Sequence, residues 1–246
     1  SVSLIKLNAG DDMEISSADN IPQETPSETE EPPTDTPPPE SPSPLPEPGP
    51  DEKVVYLTFD DGPSSVSTTR ILDTLAQYDV PATFFLLGSN VRQYPELVQR
   101  EYKEGHKLAN HSYSHDYKKI YATVGNLLEE IIACNQEIDN ALGFAYGNTL
   151  FRFPGGSFGR TLHQEAVTQS GYKFVDWNCL GKDAEGKQPK TAENILQAVK
   201  DTSLNKNHVT VLLHDTNAKA TTVDALPAII EYFHSQGYSF RPLPNI

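Results

Sequence analysis

The chain has 246 residues and a formal net charge of −15, from 34 acids against 19 bases. Most of that charge lies at one end: residues 1–52 hold 13 acids, one base (Lys6) and 12 of the 20 prolines, while the rest carries 18 bases against 21 acids. The acidity therefore gives no guide to the partners of residues 53–246. No nucleic-acid partner is expected, and no run approaches the ~20 apolar residues of a membrane span.

Within residues 1–52, stretches such as Thr36-Pro37-Pro38-Pro39-Glu40-Ser41-Pro42 cannot bury apolar surface, so a disordered, acidic, Pro/Glu/Ser/Thr-rich linker is expected. The short apolar patch Val2, Leu4, Ile5, Leu7 reads as the tail of a preceding module or a remnant. No signal peptide is read in the chain. Such a spacer ahead of a catalytic-looking domain suits a secreted or cell-surface bacterial protein, tethered through a segment upstream of residue 1. Residues 53–246 form one domain, long enough for a substantial core.

In that domain, apolar stretches predict strands near 54–60, 82–87, 107–110, 150–153, 173–177, 209–214 and 238–242. Amphipathic spacing predicts helices near 66–78, 95–104, 123–142, 161–170, 191–203 and 222–236. In the third of these, Leu127, Leu128, Ile131, Ile132 and Ile138 recur around Glu129, Glu130 and Glu137. Thr191 reads as a helix start and Gly237 as a stop. Alternation of short strands with helices predicts an α/β fold with a parallel sheet, a distorted (β/α)7-type barrel one unit short of the usual eight. Chemistry in such folds gathers at the C-terminal ends of the strands, where the βα loops open. Cys134 and Cys179 are too few for a disulfide framework, and free, partly buried thiols are expected.

The reactive residues fall on that face. Strand 54–60 runs into Asp60-Asp61-Gly62-Pro63, where neighbouring carboxylates point to opposite sides of a strand and divide their tasks. A plain Asp-Gly-Pro turn is the competing interpretation. After strand 107–110 come His111 and His115, four apart and so on one face of a helical turn; with Asp61 they make a His-His-Asp set that leaves coordination positions open. Arg152 ends the next strand, where a guanidinium can fix a carboxylate, and Gly155 and Gly156 follow, letting backbone N–H groups approach a ligand. Asp176 and Trp177, the only tryptophan, end another strand: the ring either stacks on a sugar or plugs the barrel top. His214 ends strand 209–214 in a proton donor's position, beside Leu212 and Leu213.

This ordered set, from Val54 to Leu243, resembles the polysaccharide deacetylases of carbohydrate esterase family 4, the NodB-homology domain. The resemblance implies that Asp60 is a general base and Asp61, His111 and His115 are metal ligands. It implies that Arg152 orients the base, Asp176 poises His214 as general acid, Trp177 walls the groove and Leu212 lines the acetyl-methyl pocket. Gly155 stands where the family has tyrosine; the backbone N–H used there for the oxyanion is kept and the ring is lost. The implied activity is metal-dependent removal of N-acetyl groups from amino sugars of a polysaccharide, peptidoglycan foremost, through Zn2+, with Co2+ or another divalent ion as substitutes. An acetylxylan O-acetyl esterase and a chitooligosaccharide deacetylase are the competing activities. A non-catalytic wall-binding module is a remote one, since no ligand or base is missing. A monomer is expected.

Overall fold

A strand buried on both faces reads as a continuous apolar run, and Val54–Asp60 is such a run: all seven residues are buried. In the computed structural model, which describes residues 46–186 and 190–244, this strand is the centre of a parallel sheet. The elements follow in chain order as β1 (Val54–Asp60), α1 (Ser67–Tyr78), β2 (Thr83–Leu86), α2 (Gly88–Gln93), α3 (Pro95–Lys103), β3 (Lys107–Asn110), α4 (Tyr117–Ile120) and α5 (Val124–Leu142). Then come β4 (Leu150–Phe151), α6 (Thr161–Gln169), β5 (Lys173–Phe174), β6 (Cys179–Leu180), α7 (Ala192–Ser203), β7 (His208–His214), α8 (Ala220–Ser235) and β8 (Ser239–Phe240).

The strand order is β5-β4-β3-β2-β1-β7-β6, with β8 pairing on the first residues of β1, and every ladder is parallel. Among the described residues no ladder joins β5 to β6, so the barrel is distorted and open on that side. Among the described residues the sheet has eight strands where seven were predicted. The extra one, β6, is two residues long and carries no periodicity to detect.

Alternation along the strands sets which residues see the lumen. Val55, Leu57 and Phe59 pack with Phe84, Leu86, Leu108, Val209, Val211 and Leu213 in the large core beneath the helices. Their neighbours Val54 and Tyr56 pack with Phe85, Ala109, Leu150 and Leu243 in a second, smaller core. By the same alternation Thr58 and Asp60 of β1, and Leu212 and His214 of β7, belong to the lumen face. The β1–β7 register pairs Thr58 with Leu212 and Asp60 with His214, which brings the last two together at the C-terminal mouth.

Six predicted helices are present within a few residues, and α2 and α4 are additional short ones. Thr191 caps α7 by accepting from Asn194 N at 3.2 Å. Both cysteines are free and buried. Residues 1–45 of the predicted linker lie outside the described residues. Its last stretch lies against the domain: Arg241 donates to Pro46 O and pairs with Glu52, and Asn207 donates to Pro50 O. Residues 46–52 of the predicted linker thus contact the domain at Arg241 and Asn207. Removing the α7 cap by Thr191→Ala is expected to cost about 1 kcal/mol, read as a lower denaturant midpoint with unchanged slope.

Candidate active site

Asp60 is almost fully buried, and its carboxylate is held by a guanidinium that is itself 0% exposed. Arg152 Nη1 donates to Asp60 Oδ1 at 2.8 Å and to Thr58 Oγ1 at 2.7 Å. Its Nε donates to Val175 O and its Nη2 to Asp176 O, both at 3.1 Å. The guanidinium also lies 4.0 Å from the Phe85 ring centre. Burial raises the Asp60 carboxyl above the usual range, while Arg152 and then His214 pull it back.

Asp61 leaves the strand with φ of +75°, a left-handed turn that Asp tolerates better than most residues. The turn is pinned by Asp61 N to Phe85 O at 3.2 Å and by Asn90 Nδ2 of α2 to Asp61 O at 2.8 Å. Asp215, one residue past β7, accepts from Ser64 Oγ at 3.0 Å and Thr68 Oγ1 at 2.5 Å, and donates its N–H to Asp60 O at 2.7 Å. A Cβ on Gly62 would fall 2.5 Å from Asp215 Oδ2, so only glycine fits this turn.

Asp61 Oδ1 is buried with no hydrogen-bond partner among the described residues. It lies 3.5 Å from His111 Nε2 and 3.4 Å from His115 Nε2, and the three ligand atoms lie within 4.8 Å of one another. A tetrahedral ion with bonds of about 2.0–2.2 Å spaces its ligands about 3.4 Å apart, so the set fits a divalent cation. The other His111 nitrogen, Nδ1, is 2.8 Å from Arg152 O. That contact makes Nδ1 the N–H and leaves Nε2 as a lone pair toward Asp61. Burial, opposed by Asp61, pushes the His111 imidazole down to about 3, so it is neutral, the form that binds metal.

The histidine pair lies on a loop, not on the helical turn that the spacing predicted. Ser112 and His115 have φ of +76° and +56°, which no α-helix accommodates. The loop is tied to α5 by Glu130, whose Oε2 accepts from Tyr113 N at 3.0 Å, Ser114 N at 2.7 Å and Ser114 Oγ at 2.9 Å. Its Oε1 pairs with Lys119 Nζ at 2.7 Å. Burial opposes ionisation of Glu130, yet Lys119 and Ser114 outweigh it and hold the carboxyl low. Grouped with Glu129 and Glu137, this residue reads as part of a polar helix face, and nothing local marks it as the buried one.

Asp176 is a correction. It accepts from Ser157 N at 3.0 Å and from Ser157 Oγ, and it does not contact His214. The acid on His214 is Asp183: Oδ1 lies 2.8 Å from His214 Nδ1, and Oδ2 accepts from His214 N at 2.9 Å and Thr222 Oγ1 at 2.8 Å. The predicted strand 173–177 ends at Phe174, so Asp176 lies in the connection that follows, over Arg152, and Asp183 follows β6 instead. The detectable signal was an acid shortly after Cys179-Leu180, too short a strand to recognise. Burial works against protonation of His214, but Asp183, then Asp60 and Asp61, raise it to about 9.

Trp177 stands at the mouth, 5.8 Å from the Arg152 guanidinium and edge-on to Phe158, which is 73% exposed. Leu212 is 7% exposed, two residues before His214 on the same strand face. Gly155 has φ of +76° in the loop after Phe153, and its N–H donates to no acceptor among the described residues.

The sequence pattern of the polysaccharide deacetylase family matches residues 47–175. The chain belongs to this family. It is similar to a peptidoglycan-N-acetylglucosamine deacetylase of Bacillus cereus, 36% identical over 204 residues that cover 78% of this chain and 70% of that one. It is also 34% identical to a chitooligosaccharide deacetylase of Rhizobium leguminosarum bv. trifolii, over 81% of this chain and 94% of that one. In structure it resembles a Streptococcus mutans CE4 esterase, with a TM-score of 0.74 and 34% identity over 79% of this chain and 87% of that one. The chain is thus a carbohydrate esterase family 4 deacetylase with a parallel α/β barrel, from a family that is generally metal-dependent.

Two consequences follow for positioning residues in this deacetylase. Glu130→Ala leaves two loop N–H groups without their charged acceptor and is expected to cost about 1.5–3 kcal/mol of stability, checked by denaturant unfolding. For His214 the folded imidazole lies above its unfolded value. The stabilisation from the Asp183 pair is therefore complete below pH 6.5 and lost as pH rises through about 9. Asp183→Asn is expected to flatten that decline and to bring the His214 NMR titration down by more than about one pH unit.

Proposed function

We propose that this chain removes N-acetyl groups from the amino sugars of a bacterial cell-wall polysaccharide, with Asp60 as general base, His214 as general acid and Asp61, His111 and His115 as metal ligands. The observation that carries this reading is the buried, unpartnered Asp61 Oδ1 facing two imidazole nitrogens at 3.4 and 3.5 Å, next to a second carboxylate already paired with Arg152. One acid lacks a cation and the other has one, which supports different tasks for the two.

A divalent cation at the triad, Zn2+ first by its N,N,O donor set, supplies Lewis acidity toward water and the acyl oxygen. Asp60 takes a proton as water attacks the acetamide carbon; Arg152 fixes the direction of its carboxylate and offsets the cost of its burial. The Gly155 N–H is free to donate to the oxygen that becomes anionic, an interaction worth about 3–4 kcal/mol in such sites. His214, kept protonated by Asp183, delivers a proton to the leaving nitrogen. Leu212 offers apolar surface to the acetyl methyl and Trp177 a wall at the mouth. Asp176 holds the Ser157 turn that follows Gly155 and Gly156. The products are acetate and a glycan with a free amine.

Peptidoglycan is the favoured glycan because the Bacillus cereus relative carries that name, and action at the cell surface follows from that substrate. Residues 1–52 then serve as a spacer ahead of the catalytic domain. No helix of the described residues is long and apolar enough to cross a membrane.

Acetate release from peptidoglycan, N-acetylglucosamine oligomers and acetylxylan, read by mass spectrometry, tests the assignment; release from acetylxylan alone refutes it. Asp60→Asn is expected to keep Zn2+ while lowering kcat by about 10²–10⁴-fold. His111→Ala and His115→Ala are expected to lose the metal itself. Wild-type turnover in Asp60→Asn, or full occupancy in the histidine variants, overturns the roles.

A further inference from the structure

Gly155 has φ of +76°, and a Cβ there would lie 2.9 Å from Tyr117 Oη and 3.2 Å from Tyr117 Cζ, so the phenol would have to shift to admit a side chain. The space beside the Arg152–Gly156 loop is filled by a phenol delivered from another segment. Tyr117 opens α4 two residues after His115, with its ring 5.3 Å from the His115 ring and 6.0 Å from the Tyr121 ring. Tyr121 in turn donates to Pro154 O at 2.7 Å and packs under the Arg160 guanidinium, 3.5 Å from its ring centre. Tyr117 is thus held between the histidine loop and the glycine loop. It is nevertheless 46% exposed, and its hydroxyl has no hydrogen-bond partner among the described residues.

We propose that Tyr117 is a substrate-binding residue: its ring forms the groove wall beside Gly155, and its hydroxyl bonds the N-acetylated sugar being processed. This rests on the deacetylase roles assigned above and adds a sugar contact to them. A partly exposed ring with an unused hydroxyl offers an apolar face and a polar tip, the combination a sugar ring needs. Glycine at 155 is then a steric condition for that phenol. Asp60 and His214 take their orientation from Arg152 and Asp183, neither of which touches Tyr117, so its contribution falls on binding and not on proton transfer.

Steady-state kinetics of the Zn2+-loaded full chain on N-acetylglucosamine oligomers tests this. Tyr117→Ala is expected to raise KM by about 10-fold or more while kcat changes less than about 3-fold and Zn2+ affinity is unchanged. Tyr117→Phe is expected to recover part of the KM through the ring alone. Gly155→Ala is expected to lose activity beside Tyr117 and to lose several-fold less in the Tyr117→Ala background, since backbone strain is common to both. A fall in kcat with unchanged KM, a weakened metal, or equal losses for Gly155→Ala in both backgrounds overturns the proposal. If the wild type releases no acetate, the deacetylase roles fail separately. Calorimetry of the same oligomers with Asp60→Asn then decides the Tyr117 contact, with equal affinity in the presence and absence of Tyr117→Ala refuting it.

Discussion

A fully buried guanidinium organises this site. Arg152 pairs with Asp60 and Thr58 of β1, with the carbonyls of Val175 and Asp176, and its own carbonyl fixes His111. An unpaired charge in that lumen would cost several kcal/mol, and the geometry avoids this by using the guanidinium fork on four acceptors at once. One residue thereby links Asp60, the segment that carries Trp177 and the His111 imidazole. Displacing it would disturb all three, so the lumen is a polar frame around which the apolar cores are built.

The frame has a second anchor across the mouth. Asp183 accepts from the ring and backbone of His214 and from Thr222 of α8, which ties β7 to the helix that follows it. Asp215 then joins the end of β7 to the turn after β1 through Asp60 O, Ser64 and Thr68. Three buried acids, Asp60, Asp183 and Asp215, thus occur within a few residues of the C-terminal ends of neighbouring strands. Each has a different partner: a guanidinium, an imidazole and a pair of hydroxyls. Their chemistry differs because their partners differ, although their depth is similar.

Much of this was legible in the chain. The long runs Val54–Asp60 and His208–His214 announced themselves by apolar content, and Asp60, Asp61, Arg152 and His214 were found because they close such runs. The loop form of His111–His115 was hidden, since a four-residue interval suits a helix and a turn alike; Asn110 and Glu130 accept from the backbone of this loop, in which Ser112 and His115 have left-handed φ. Asp183 was missed in favour of Asp176 because β5 and β6 are two residues each, too short for alternation to show. Nor does a sequence reveal that the hydroxyl of Tyr117 fills the space at Gly155, a contact across 38 residues set by packing alone.

The histidines show most plainly how the frame assigns chemistry. His111 and His214 flank the same mouth and are both shielded from water, yet one is held near 3 and the other near 9. Part of the difference lies in what meets Nδ1. His111 meets a carbonyl, which fixes the tautomer but adds no net charge, so burial wins and the ring stays a neutral donor of an Nε2 lone pair. His214 meets the Asp183 carboxylate, which together with Asp60 and Asp61 outweighs burial and keeps the ring protonated. The proposed roles, a cation held on one side and a proton released on the other, need both states at one pH. Exchanging the Nδ1 partners, carbonyl for carboxylate, would favour a positive imidazolium beside His115 and a neutral ring at the end of β7, the reverse of what the proposed roles require.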